Sequence, residues 1–544
     1  MSYSTKKISL IYLFLLIFST KGSIAQDNGF PSKGNLSGSF ENYSQYYLKD
    51  TSIKASLPPG KFGLNSFLKL DYNYGKFSAG VQFESYLPPV LGYFPDNISF
   101  SGSKLINKYF KYSIDRLTIQ VGDFYEQFGS GLIFRAYENR QIGINNAVQG
   151  ARIEVEPFKF LKFKAMYGNA RKIFDYSDAI VKGVDAHVSV NELMCLNNSK
   201  IQLDLGGSFV NKFEEYSGGL GDDIPKNIDA FAGRFDISGG AFSLDAEYVS
   251  KSADPSYLAG YSKKGEDAKG KGFLLNAGIN VGNFGSMLSY RSIKNMIFMN
   301  ERVTENPNIA PLNFIPALTK QHDNLTSNIY VYGAQFLGET GFQADLYYNF
   351  KPGSNLGGKY GLKVAANVSY YAGLNKKRDL FIMNTDDKFF SDINLEIKKK
   401  WNKKLETTVF FQNLFINDTI SAAIKDDVHA TIVSLGALYK WAPKKSIRIK
   451  LEHLFATEDF KSWVSGLTEF SFSSPYQFFI SDLYNYGDTK VHYYNFGASY
   501  TKSGTRFALS YGRQREGLFC AGGICRILPA ANGFTASLTS SFGN

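Results

Sequence analysis

The sequence predicts an all-β fold, one large antiparallel transmembrane β-barrel of about 24 to 26 strands. Three observations lead there. Apolar and polar residues alternate with a period of two along most of the chain, the composition suits strands joined by tight turns, and the N-terminus has the build of an export signal.

Aromatic and glycine richness with little proline (47 Phe, 35 Tyr, 51 Gly, 16 Pro) favours many short-turned strands over several soluble domains, the usual expectation for 544 residues. A mean hydropathy of -0.20 excludes a bundle of membrane helices. It allows a barrel, because half of every spanning strand faces a polar interior. The formal charge of +11 invites a nucleic-acid reading, but the lysines are scattered over alternate strand positions and turns, without clustered Arg/Lys and stacking aromatics. No nucleic-acid partner is expected: the charge reads as scattered and solvated, with attraction to anionic lipid head groups at the barrel rim as the lesser alternative.

Lys6 and Lys7 precede the apolar run Ile8 to Phe18, and Ser23-Ile24-Ala25 supplies the small residues that signal peptidase requires. Cleavage after Ala25 is expected, leaving residues 26–544 as a single barrel domain. The apolar run is too short to span, and no later stretch approaches the roughly 20 apolar residues that a spanning helix needs. No Cys follows the cleavage site, so a lipid anchor is not expected. An exported chain that spans must do so with strands, which places it in the outer membrane of a Gram-negative bacterium, in contact with lipid. The short lead before the first strand, near Asn35, leaves no room for the plug of a TonB-type transporter or for periplasmic repeats.

The strands follow in order. Phe62, Leu64, Ser66, Leu68, Leu70 and Tyr72 alternate with Gly63, Asn65, Phe67, Lys69, Asp71 and Asn73. After a Tyr74-Gly75 turn, Phe77, Ala79, Val81 and Phe83 alternate with Ser78, Gly80, Gln82 and Glu84. A soluble sandwich would also alternate, but long charged side chains would not be its inward set. In lipid the apolar face looks out and the charges look into a wet lumen. The pattern returns at Leu161–Tyr167, Phe242–Tyr248, Phe342–Asn349, Asp392–Lys398 and Arg506–Tyr511, and closes with Phe534, Ala536, Leu538, Ser540 and Phe542 on one face. Short turns (Tyr74-Gly75, Ser238-Gly239-Gly240, Lys502-Ser503-Gly504) and both termini are assigned to the periplasmic side. Hairpin parity followed from the two ends fails to meet between about Asn295 and Tyr360, around a long loop from Glu301 to Asn324.

One stretch breaks the alternation. Between the strands ending near Val121 and restarting near Ala151 lies a segment, about 123–147, rich in Gly, aromatic and charged residues: Asp123, Glu126, Gly129, Gly131, Arg135, Glu138, Arg140, Asn145 and Asn146. It is expected to leave the wall and sit at or inside the barrel mouth. The glycines, Gly143 among them, permit the sharp path, Arg135, Glu138 and Arg140 fix it by ion pairs, and Phe128 and Phe134 pack.

The inward charges Lys69, Asp71, Glu84, Arg116, Arg152, Glu154, Glu156, Lys162 and Lys164 come from neighbouring strands and carry both signs. They form either a mutually paired lining or a constriction that selects solutes by charge. Cys520 and Cys525, with four residues between them that include Gly522-Gly523, lie in the last long loop and suit a small disulfide hairpin in an oxidising compartment. Two thiolates without a nearby His or further Cys do not complete a zinc site, and no cofactor is expected. Cys195 is left as a free thiol near a turn. Of the five histidines, His322 and His429 fall in expected loops and His187, His453 and His492 in or beside strands. None stands at a spacing that suggests catalysis, so an enzyme is not expected.

Two segments, GDFYEQFGSGLIFRAYENRQIGINNAVQGAR and the run from His492-Tyr493-Tyr494 through YGRQREGLFCAGGICRILP to the closing strand, resemble an uncharacterised family of large outer-membrane barrels from Bacteroidota. The resemblance implies location and architecture and carries no activity. Two functions fit the sequence: a porin-like channel passing a solute through the lumen, or a non-conducting accessory barrel that docks outer-membrane protein partners of an assembly, secretion or surface-export machine.

Overall fold

Twenty-four antiparallel strands form one sheet that closes on itself, from strand Asn35–Tyr47 to strand Ala531–Gly543. The computed structural model describes residues 34–94, 100–196, 199–215, 224–255, 269–303, 310–375, 377, 380–420, 424–473 and 475–543, so the expected signal peptide lies outside the described residues. Each wall strand pairs with its neighbour in the chain, and the first and last meet in register from Ser37↔Gly543 to Tyr47↔Gly533. Closure leaves no wall edge with unpaired backbone, which is what a hydrocarbon surrounding demands.

The two faces sort as the alternation requires. Leu435 and Ile480 are 56 % exposed on the outside, while the inward Glu339 and Gln412 are fully buried. A soluble barrel would have the reverse distribution, since exposing an aliphatic belt to water forfeits the driving force for folding. The outward set Leu36, Phe110, Val121, Phe231, Leu451 and Phe507 forms the belt of a membrane barrel.

Short turns at 75–76, 115–116, 159–160, 240–241, 282–283, 443–444 and 503–504 cluster at one end, with the start of the first strand and the end of the last. The opposite end carries the long connections 125–147, 295–337 and 515–530. The parity conflict in the sequence resolves here. Strand Phe284–Lys294 pairs directly with Gly338–Phe350, and none of the described residues between them joins the wall. The loop is therefore longer than Glu301 to Asn324. His429, expected in a loop, opens strand Val428–Ala442 as its second residue.

Candidate functional site at the mouth of the barrel

The wall is interrupted after Phe124 and resumes at Val148, and these two residues are register partners on adjacent strands. Residues 125–147 hang from that point into the lumen as two small hairpins, Gln127–Phe128 with Phe134–Arg135 and Glu138–Asn139 with Ile144–Asn145. Asp123, expected within this segment, belongs to the wall strand Leu117–Phe124, where its carboxylate accepts from the Tyr176 hydroxyl at 2.7 Å and the Lys108 amide at 2.8 Å. Alternation stops because the segment packs on all sides. Phe128, Leu132, Ile133 and Phe134 are buried against inward-facing Val148, Met166, Val181, Val210, Ile228 and Val249. The sharp path needs glycine at two places above all. Gly129 has φ +54° and a Cβ there would lie 2.4 Å from Glu247, while Gly143 has φ +68° and a Cβ would lie 2.6 Å from the Tyr93 carbonyl oxygen. Gly131, with φ +95°, makes the turn between them and its carbonyl accepts from Phe314 N–H.

The charged residues of the segment do different jobs. Glu126 bridges Arg152 at 2.6 Å and Lys164 at 2.8 Å, joining the segment to two wall strands. Arg140 pairs with Glu138 at 2.9 Å and Glu41 at 2.8 Å and lies over the Phe67 ring. Arg135, expected to make an ion pair, has none among the described residues and instead stacks on Phe314, 3.9 Å from its ring centre. Asn145 receives the Tyr125 hydroxyl, and Asn146 donates to the carbonyls of Arg135 and Pro311. Pro311 belongs to a second infolded segment.

The second segment, 295–337, reads in the sequence only as a long loop from Glu301 to Asn324; its infolding left no sign there. Met296, Phe298, Leu312 and Ile315 share the cluster under the first segment, and Ile329, Tyr330 and Tyr332 pack with Tyr371, Phe390, Leu414 and Trp463 across the lumen. Wall carboxylates fasten it. Glu339 receives Arg291 and the Tyr332 hydroxyl, each at 2.5 Å, and the Gln335 amide at 2.7 Å. Glu452 receives the amide and hydroxyl of Thr326 at 2.9 Å, Lys450 pairs with Asp323 at 3.0 Å, and His322 meets Asp392 at 3.0 Å. The two segments also bond each other: Arg135 N–H donates to the Leu312 carbonyl and Asn313 to the Leu132 carbonyl.

The last long connection completes the stopper. Strands Gly517–Ala521 and Ile524–Leu528 form a hairpin that the Cys520–Cys525 disulfide closes. Ala521 and Ile524 pack on Ile142 and Ile144, and Ala317 N–H donates to the Gly523 carbonyl. Arg526 donates to the Tyr93 carbonyl at 3.1 Å, and burial pushes its guanidinium down to about 10. Cys195 is a free, exposed thiol.

Most of the inward charges read from the sequence are paired. Lys69 meets Asp71 at 3.3 Å, Glu84 takes a two-pronged pair from Arg171 with 2.6 Å as its shorter contact, and Lys162 reaches Glu154 at 2.5 Å and Glu156 at 3.8 Å. Arg116 is the exception. It sits in the exposed turn between strands Gly102–Ile114 and Leu117–Phe124, because the hairpin closes one residue pair earlier than the alternation suggests. Arg171, Arg291, Glu339 and Glu452, equally central, gave no signal, since a lone charge on an alternating strand looks the same whether or not a partner awaits it. On the short-turn half, inward charges keep contact with water: the side chains of Lys69, Glu156, Lys398 and Glu469 are 45, 46, 38 and 44 % exposed. The lumen is thus stoppered at the long-loop end and hollow toward the other.

A family model described as "Family of unknown function (DUF6029)" matches residues 5–542. No curated protein matches the sequence. Among solved structures, the chain is similar to the P pilus usher PapC translocation pore (TM-score 0.43, 9 % identity, 93 % of this chain and 99 % of that one). It is also similar to OccK3 of Pseudomonas aeruginosa (0.36, 10 %, 94 % and 96 %) and the outer membrane transporter YddB of Escherichia coli (0.38, 8 %, 93 % and 81 %). At such low identity and superposition these likenesses assign nothing to this chain.

Proposed function

We propose, for a chain that belongs to the DUF6029 family of unknown function, a role as an outer-membrane passage barrel for a solute, closed at rest by its own infolded segments. An apolar belt around a closed barrel supports placement in the outer membrane, and the basic, apolar and small-residue order of residues 1–25 supports an export signal, with the remainder as one barrel domain whose short turns and termini face the periplasm.

One observation carries the reading. Phe124 faces Val148 and Lys294 faces Gly338 as register partners, so both infolded segments hang from intact hairpins. The wall closes without them, and the stopper can shift without breaking a single wall pairing. A barrel of 24 strands is otherwise wide enough for an aqueous channel. The hollow half, lined by charges of both signs, supports entry of polar solutes. The paired charges near Glu126 support a clamp more than a selectivity ring, because their hydrogen-bonding capacity is already used.

Planar-bilayer recordings test this. The intact chain is expected to stay closed for most of the record. Replacing 125–147 and 295–337 each by a two-residue turn should give long, large conductance steps. Silence from the double replacement, with its barrel folded as judged by heat-modifiable gel migration, would sink the passage reading. Stoichiometric co-purification of other membrane proteins with a silent barrel would instead favour the accessory role.

A further inference from the structure

We infer that the cavity between the second infolded segment, the wall and the disulfide hairpin is a binding site for a small organic carboxylate with an apolar body, an inference that rests on the passage reading and names its solute class. The cavity measures about 200 Å³ and is roofed by Leu518, Phe519, Cys520 and Gly523 of the hairpin. That is room for roughly ten non-hydrogen atoms or more.

The polar groups facing it differ in what they have left to offer. Asp392 is already served, by His322 at 3.0 Å, Gln412 at 2.9 Å and Asn394 at 3.0 Å. Gln412 in turn accepts from the Ser327 hydroxyl at 2.7 Å. Lys320 is not served in this way. Its ammonium donates to the neutral amide oxygen of Asn394 at 3.2 Å, and it forms no ion pair with a carboxylate among the described residues. An ammonium has three N–H groups, so two remain for an occupant. A half-enclosed cation with no carboxylate bonded to it favours an anionic ligand, and a charge-assisted bond is the strongest single contact such a cavity can make.

The remaining surface selects the body of that ligand. Phe390 and Leu414 line the wall side, and Leu518 and Phe519 the roof, so an aromatic or aliphatic group would be held between apolar faces. Phe519 is 40 % exposed. A carboxylate at Lys320 with its body under Phe519 would touch the infolded segment and the hairpin together, and so would bias the two parts that close the mouth.

The probe is 3-phenylpropionate, titrated calorimetrically into the full chain in detergent micelles, with 3-phenylpropan-1-ol as the uncharged control. The carboxylate is expected to bind, and the alcohol at least about tenfold more weakly. Lys320→Gln should weaken the carboxylate roughly ten- to a hundredfold, and Lys320→Arg only a few-fold. Phe519→Ala, on a hairpin outside the wall, should weaken it by about tenfold. Absence of binding, equal affinity for the alcohol, or unchanged affinity in folded Lys320→Gln or in Phe519→Ala would overturn the assignment. Binding is read as heat in micelles and passage as current in bilayers. A silent barrel that still binds therefore refutes passage alone, and a conducting barrel that does not bind refutes the site alone.

Discussion

Glu339 is fully buried and holds three groups at once: Arg291 on the neighbouring strand, and the Tyr332 hydroxyl and Gln335 amide of the second infolded segment. Removing one member of a buried pair leaves the other charge without compensation, at a cost of about 3–5 kcal/mol. Glu339→Ala is therefore expected to lower the unfolding free energy by about that amount and to raise open probability, whereas the same change at exposed Glu215 should do neither. Denaturant titration in micelles with parallel recordings checks both. Asp323 acts in a gentler way. Burial pushes its carboxyl up, but hydrogen bonds and charge from Lys450 and Arg448 outweigh that and hold it below the usual carboxylate range. A carboxyl lowered in the folded state gives a contribution that is full above its unfolded value and is lost as pH falls through its folded one. Opening frequency should therefore rise below about pH 4. In Asp323→Asn the raised frequency should already be present at neutral pH, and the acid response should be flatter. An unchanged acid response in that variant would rule Asp323 out as the clamp.

At the scale of elements, the disulfide hairpin tests how far the stopper is separate from the wall. Its strands pair only with each other, and it touches the infolded segments through Ala521, Ile524 and Gly523. Closing so short a loop restricts the unfolded hairpin by about 2 kcal/mol on the chain-entropy view. Replacing Cys520 and Cys525 by Ala should make residues 515–530 susceptible to protease while barrel melting stays unchanged; a lower melting point would tie the hairpin to the wall. Segment 125–147 announced itself because a period of two stopped between clear strands on either side. Segment 295–337 did not, since it follows a regular strand with mixed apolar and polar residues, and the sequence showed it only as a long loop and a parity that failed to close.

For the whole molecule the decisive variable is what surrounds the belt. Leu435 lies midway along strand Val428–Ala442 and faces out. In a bilayer, Leu435→Lys should cost about 2–4 kcal/mol of folding free energy, whereas in a soluble barrel it would cost nearly nothing. Refolding into lipid vesicles across a urea series separates the two outcomes. The alternation that sets this belt is local: each residue's side is fixed by its neighbours, because a strand turns its side chains over at every step. Local order alone therefore specifies an all-β barrel, its outward face and its interrupted mouth, and short spacing specifies the candidate pair Cys520 and Cys525. The tertiary structure decided what the charges do. Glu84 and Arg171 are 87 residues apart, and Thr326 and Glu452 are 126 apart, yet each pair meets in the closed lumen. Such meetings depend on strand tilt, closure and where a long loop folds back, which no local pattern encodes.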